Sequence, residues 1–261
     1  ATSCDADKSY SPALDVYFFR QISPRQSLTA NAVGTYISTQ TGSFYDEGSP
    51  YKYNVDGKTT SLLAEAIYEN RLKPFTFSTG VNYSYKYIKN GYLGDASSLT
   101  KTNNNRLYGF AEIKGMLRQL RYTLGAGVSY IHYTQNGHRF NFWTFHPKAS
   151  LTYQINNGLQ MSYTYQMQDK VSRIAMTSDV MIRTNSMEWT KGKPDLKPSH
   201  DMEHRLQFSY NNNRLQAFVD GYFKQCFKPN MAHYERTQDN QFVYTQINQK
   251  EIDALSVMAY A

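Results

Sequence analysis

PFTFSTGVNYSYKYIK, residues 74–89, decides the fold. Phe75, Phe77, Thr79, Val81, Tyr83, Tyr85 and Tyr87 fall on one face, and Thr76, Ser78, Gly80, Asn82, Ser84 and Lys86 on the other. A period of two over this length is a strand. About 13 residues at ~3.4 Å each reach roughly 44 Å, or ~34 Å of height at a tilt of ~40°, enough to cross a membrane barrel's apolar band of ~25 Å. Strands of soluble domains average about 5–6 residues. The apolar face is ordered, with Phe first, then small residues, then tyrosines. Amphipathic rings prefer the membrane–water interface, so the Tyr cluster reads as an aromatic girdle.

The surrounding chain repeats the pattern. Strands are expected near 10–21, 28–40, 58–71, 75–88, 105–116, 121–134, 142–154, 159–169, 202–211, 214–228 and 242–258, with no convincing helix between them. Leu159, Met161, Tyr163, Tyr165 and Met167 oppose Gln160, Ser162, Thr164, Gln166 and Gln168; Tyr122, Leu124, Ala126, Val128 and Tyr130 oppose Arg121, Thr123, Gly125, Gly127 and Ser129. The connections alternate. Short ones are expected at 23–27, 72–74, 117–120, 155–158 and 211–213, and long or polar ones at 41–57, 90–104, 135–141, 170–201 and 229–241. Outer-membrane barrels have this parity, with the short turns periplasmic. The fold class expected is therefore all-β, an antiparallel up-and-down transmembrane β-barrel. No linker or charge block divides residues 1–261, which read as one barrel segment.

Bulk composition agrees. The 261 residues are 40% hydrophobic, and 23 Tyr outnumber 14 Phe. Mean hydropathy is −0.64. No run approaches the ~18 apolar residues of a membrane helix. The net charge of +7 comes from Lys and Arg scattered singly among acids, which argues against nucleic acid and for lumen and rim chemistry. Cys4 and Cys226 form no CxxC pair, so a zinc knuckle is excluded. ATSCDADKSY lacks the basic start and apolar core of a signal peptide. With the non-aromatic end SVMAYA, it leads to the expectation that the chain is an excerpt.

Gly192-Lys193-Pro194-Asp195-Leu196-Lys197-Pro198, followed by Ser199, Glu203 and the segment 205–210, carries a family resemblance. It resembles the G-N-P-x-L-K-P-E segment of TonB-dependent outer-membrane receptor barrels, especially those of Bacteroidetes-type Gram-negative bacteria. Lys193 stands for the usual Asn and Ser199 for the usual Glu. Residues 13–18 with 33–37, and Asp56-Gly57-Lys58 leading into 61–68, look like hairpins of the same barrels. The resemblance implies a barrel of about 22 strands around an N-terminal plug, of which about eleven strands are present here. The plug and the TonB box lie outside this chain. It also implies import of a scarce solute (metal chelate, glycan, vitamin or peptide), contact with the TonB complex through the plug, outer-membrane lipid around the wall, and a surface lipoprotein as a further partner. No cofactor and no enzyme activity are implied.

The candidate functional residues fall into two groups. Glu65, Glu69, Lys86, Glu112, Lys114 and Asp220 are candidates for a hydrophilic lumen lining. Trp189, a stacking platform in the long connection 170–201, and His138 are candidate ligand contacts. His200-Asp201-Met202-Glu203-His204 matches the H-x-x-E-H zinc-protease pattern, but that chemistry needs a helix. On a strand His200 and His204 share a face and Glu203 points away. Two other readings remain open at this stage: a complete smaller porin or barrel enzyme, and a soluble or surface β-rich glycan-binding or adhesin module.

Overall fold

A computed structural model describes residues 2–46, 51–94, 97–170, 181–184, 187–193, 195–212 and 214–261. The described residues form sixteen strands: β1 (Thr2–Tyr10), β2 (Ala13–Ser23), β3 (Gln26–Asp46), β4 (Tyr51–Arg71), β5 (Phe75–Leu93), β6 (Ser97–Leu117), β7 (Leu120–Gln135), β8 (His138–Gln154), β9 (Leu159–Lys170), β10 (Met181–Arg183), β11 (Glu188–Lys191), β12 (Ser199–Asn211), β13 (Gln216–Phe227), β14 (Asn230–Arg236), β15 (Phe242–Asn248) and β16 (Glu251–Tyr260). No helix occurs among the described residues. Twelve strands form one antiparallel sheet; β1 and β2 both pair with β3, end to end, so eleven lateral positions are filled. β10, β11, β15 and β14 form a second sheet in that order, in which β11 and β15 run parallel.

The eleven expected strands all exist, but several boundaries move. The expected connections 41–57 and 90–104 are mostly strand, because β3 to β6 keep pairing past the aromatic girdle. Beyond the membrane both faces meet water, so the alternation that marks a strand fades while the backbone ladder continues. The expected connection 135–141 shrinks to Asn136-Gly137, with φ of 47° and 91°. That left-handed pair suits a type I′ turn. The Asn136 carboxamide oxygen also accepts from the Lys101 backbone N–H at 3.0 Å. The expected strand 242–258 is two strands, β15 in the small sheet and β16 in the large one, because the chain turns back at residues 249–250. Gln249 N–H donates to Pro229 O at 2.9 Å and Lys228 N–H to Lys250 O at 3.0 Å, closing that turn.

The large sheet has one apolar and one polar face. Large apolar side chains are exposed on the first, including Leu62, Val81, Leu107, Leu124, Val128, Phe145, Leu206 and Val219, and Trp143 is 72% exposed. Water would not tolerate such a continuous surface; hydrocarbon requires it. Aromatic residues bracket it. Tyr122 and Tyr130 on β7 are eight residues apart, which is ~27 Å along the strand and ~21 Å of height at a ~40° tilt. Tyr130 packs on Trp143 with ring centroids 4.8 Å apart. The polar face holds few bulky groups, and glycines make room for them. A Cβ at Gly127 would stand 2.4 Å from the Tyr108 ring, and one at Gly80 would stand 2.7 Å from Phe110. The two rings stack at 5.7 Å over this glycine ground.

The small sheet ties the connection 170–201 to the connection between β13 and β16. Asn248 is its clasp. Its carboxamide accepts from Lys197 N–H at 2.8 Å, and its two N–H donors are shared among Lys197 O at 3.0 Å, Lys228 O at 2.9 Å and Asn230 Oδ1 at 2.6 Å. In the segment that carries the family resemblance, Leu196 is buried and Pro194 lies outside the described residues. Asn248 anchors the end of that segment through both the N–H and the C=O of Lys197.

Two outcomes are expected. Ala126→Arg, midway between the aromatic belts on the apolar face, destabilises the folded barrel by about 2–4 kcal/mol, whereas Thr123→Arg on the polar face changes stability little; heat-modifiable migration in detergent reads both. Asn248→Ala removes a part-buried cluster of hydrogen bonds worth about 1–3 kcal/mol and accelerates chymotryptic cleavage after Leu196 and Phe227; an unchanged digestion pattern would show that the clasp is not what holds the two connections together.

Candidate functional site: the polar face

Because the register is continuous, one row of side chains can be followed across all eleven positions of the sheet. It runs Gln21, Ser27, Glu69, Ser78, Glu112, Gly125, Lys148, Gln166, Glu203, Lys224, Ala254. Its members bond along the row. Ser78 Oγ donates to Glu69 at 3.3 Å, Gln166 Nε2 donates to Glu203 at 2.8 Å, and Lys224 Nζ donates to Glu203 at 3.1 Å. Lys148 reaches Glu112 across Gly125. The missing side chain is what lets them meet: a Cβ at Gly125 would stand 3.0 Å from Lys148 Cε and 3.3 Å from Glu112 Cβ. Lys114 adds a diagonal contact, its Nζ 2.8 Å from Glu69.

The expected lining residues Glu65, Glu69, Lys86, Glu112, Lys114 and Asp220 share this face, as their register partners show. Glu69, Glu112 and Lys114 join the ionic row. Asp220 instead accepts from Arg205 Nε at 2.8 Å, and Glu65 from Asn82 at 3.4 Å. Lys86 is exposed, opposite Ser61 and Asn104. A second cluster sits where β12 and β13 leave the sheet: Asp201, 1% exposed, receives Lys170 at 2.5 Å and Lys224 at 2.6 Å.

One site was not expected from the sequence. The β8–β9 ladder stops at Lys148 and Gln166, while β9 continues against β12 as far as Lys170. Asp169, just beyond the last β8 pair, reaches His146 Nε2 at 3.0 Å and His200 Nδ1 at 2.5 Å. Its carboxylate is 2% exposed. His146 Nε2 also lies 2.9 Å from Ser129 Oγ and 3.0 Å from Thr144 Oγ1. Arg106 donates to the same Ser129 at 3.2 and 3.1 Å, and its guanidinium lies 5.8 Å from the Tyr108 ring centre. Tyr108 meets His146 edge-on at 5.4 Å. A cavity of about 270 Å³ opens here, lined by Arg106, Tyr108, His146, Lys148, Gln166 and Asp169 among others. It offers cations and an aromatic ring to a solute, over a carboxylate whose Oδ1 bonds His200 and whose buried Oδ2 has no hydrogen-bond partner. Alternation alone places Arg106 and His146 on the polar face; Asp169 shares parity with the apolar-face tyrosines and gave no signal.

Trp189 and His138 do not converge. Trp189 belongs to the small sheet, where its Nε1–H donates to Gln241 at 2.7 Å and Arg183 covers its ring at 5.8 Å. His138 begins β8, exposed, beside the Asn136-Gly137 turn. The H-x-x-E-H segment is a strand. His200 bonds Asp169, His204 Nδ1 lies 2.8 Å from the Tyr163 hydroxyl, and Glu203 is on the opposite face with Lys224. The three side chains share no metal-binding point. Cys226 is a free thiol.

Known proteins of the same form are transporters and receptors. The copper transporter OprC superposes with a TM-score of 0.68 at 13% identity, over 95% of this chain and 43% of that one. The RagAB peptide transporter gives 0.63 at 12%, over 98% and 34%. The ferric citrate transporter FecA, unliganded, gives 0.61 at 12%, over 98% and 39%. At these identities the likeness is one of fold, and the chain spans between 34% and 43% of those proteins' length. No curated protein sequence matches it. The family model described as "TonB dependent receptor-like, beta-barrel" matches residues 5–252. With its apolar face bracketed by aromatic residues and its charged row on the opposite face, the chain belongs to that family, whose barrels are receptors and transporters, not enzymes, in the outer membrane of Gram-negative bacteria.

Proposed function

We propose that this chain is a large part of the wall of a receptor that takes up a scarce solute. The solute binds at the end that carries the long connections and passes along the polar face to the periplasm. The observation that carries the reading is the ionic row from Glu69 to Lys224, lying on the face opposite a continuous exposed apolar surface. A wall polar inside and apolar outside encloses water and faces lipid. Glu65, Glu69, Lys86, Glu112, Lys114 and Asp220 then line the lumen. Closure of the barrel, to about 22 strands, and a plug that contacts TonB are supplied by the rest of the receptor.

The cavity beside His146 bears on the solute class. Arg106 and Lys148 lie beside the Tyr108 ring; Lys148 is paired with Glu112 and Asp169 Oδ1 with His200, so Arg106 is the cation left without an acid among the described residues. This arrangement favours an anionic solute with a flat or metal-chelating part over a neutral glycan. Trp189, held by Gln241 and Arg183, and the small sheet around it form the outer surface on which a ligand or a surface lipoprotein settles.

Uptake of labelled ferric citrate, cobalamin, an oligosaccharide and a short peptide by cells carrying the complete receptor, with and without functional TonB, tests the reading. One solute accumulates only where TonB works, and Arg106→Ala lowers accumulation about tenfold or more, since one charged hydrogen bond lost is worth ~1.5–3 kcal/mol. Equal accumulation in both strains would leave a passive pore and remove the transporter reading.

A further inference from the structure

The apolar wall carries a row of cations that have no ion-pair partner among the described residues. Lys58, Lys89 and Lys101 stand directly opposite one another on β4, β5 and β6. Tyr10 and Ser38 continue the row on one side. The register is unbroken from Val81 to Lys89, so the lysines share the face of Leu62, Tyr83, Tyr85 and Leu107. They lie one row past Tyr87, toward the long-connection end. All three are exposed, and none has an ion-pair partner among the described residues. Lys8, opposite Gln40, and Arg139, opposite Thr134, add two exposed cations to the same wall; Asp56 is the acid beside them.

Like charges directly opposite on neighbouring strands repel, with Cβ atoms about 5 Å apart. On the polar face the same chain separates or pairs its charges; here it aligns three of one sign. A hollow accompanies them. A cavity of about 320 Å³ is lined by Lys58, Lys89, Gln40, Asp56, Gly91 and Leu99 among others. At Gly91 an added Cβ would meet nothing closer than 3.9 Å, so the missing side chain leaves open space between the lysines and Leu99.

We infer that this row docks the phosphate-bearing headgroup of an outer-leaflet glycolipid. Its acyl chains lie along Leu62, Tyr85 and Leu107, which descend from the row into the hydrocarbon. Charge and position select the occupant. The groups that bind it are cationic, and they sit at headgroup depth just past an aromatic belt, where a soluble anion would find half of its surroundings apolar. The inference rests on the reading above that the long-connection end faces outward. Attraction of a basic group to an anionic lipid surface corresponds to about fivefold in occupancy per lysine.

The complete receptor, purified in detergent and mixed with lipid A carrying its phosphates or stripped of them, gives the test by native mass spectrometry. The phosphorylated form stays bound, the stripped form does not, and occupancy falls about fivefold for each of Lys58→Ala, Lys89→Ala and Lys101→Ala, whereas the three Lys→Arg changes together retain it. Equal retention of both lipid forms, absence of binding, or retention unaffected by the triple Ala variant overturns the inference. A peptide tag inserted between Asn136 and Gly137, probed with antibody on intact cells, keeps the two readings apart. An inaccessible tag sinks the orientation and the lipid site together; an accessible tag with unaltered lipid binding sinks the lipid site alone.

Discussion

Hydrocarbon offers no hydrogen bonds, so every backbone N–H and C=O that enters it must be paired within the protein. In this chain that constraint is met by a ladder that runs across eleven positions with a single irregularity, at residues 21–23 in the hairpin between β2 and β3. Pairing at this fidelity fixes the side chains too. A slip of one residue would exchange the faces of a strand, turning Glu112 and Lys148 to lipid and Leu124 to water. The ionic row is thus a consequence of the register, and the register is held by the cost of exposing either face to the wrong solvent.

The parts of this arrangement that were legible in the sequence are those written by solvent contrast. Leu124, Ala126 and Val128 between Tyr122 and Tyr130 announce a strand because lipid lies on one side and water on the other. Where that contrast ends, so does the signal. The extensions of β3 to β6 read as loops, since Thr41, Asn54 and Asn103 carry no alternation in water. The break at residues 249–250 was hidden because Phe242, Val243 and Tyr244 continue a strand pattern into β16 with no Gly or Pro between. The turn there depends on Pro229 and Lys250, which are distant in sequence, and on an Asn248 carboxamide whose partners no local pattern names.

The candidate site divides in the same way. Parity places Glu69, Glu112 and Lys114 on one face, and the structure joins them. It says nothing of who touches whom. Lys148 reaches Glu112 only because Gly125 is empty between them, and that fact lies in the absence of a side chain on an intervening strand. Asp169 is a stronger case. Its parity assigns it to lipid, where a carboxylate is costly. It escapes because β8 stops pairing with β9 at Gln166, which frees the seam for a buried carboxylate between His146 and His200. The departure from the ladder and the cluster beside the cavity are one feature.

Comparison of the two faces sharpens what each row of charges is for. Inside, Lys114, Lys148 and Lys224 each meet a glutamate or aspartate, and Ser78 and Gly125 act as spacers that keep like charges apart. Those pairs are partly solvated and contribute little to stability individually; on the proposed reading of this face as the lumen wall, their effect is to keep it wet and nearly neutral. Outside, Lys58, Lys89 and Lys101 stand without spacers, with Asp56 in the adjoining row and no ion pair among the described residues, although Ser or Asn at any one of them would relieve the repulsion at no cost to the ladder. A chain that balances its charges along one surface and leaves them unbalanced on the other is shaped by what each surface meets: mobile water and solute within, and a fixed layer of anionic headgroups without.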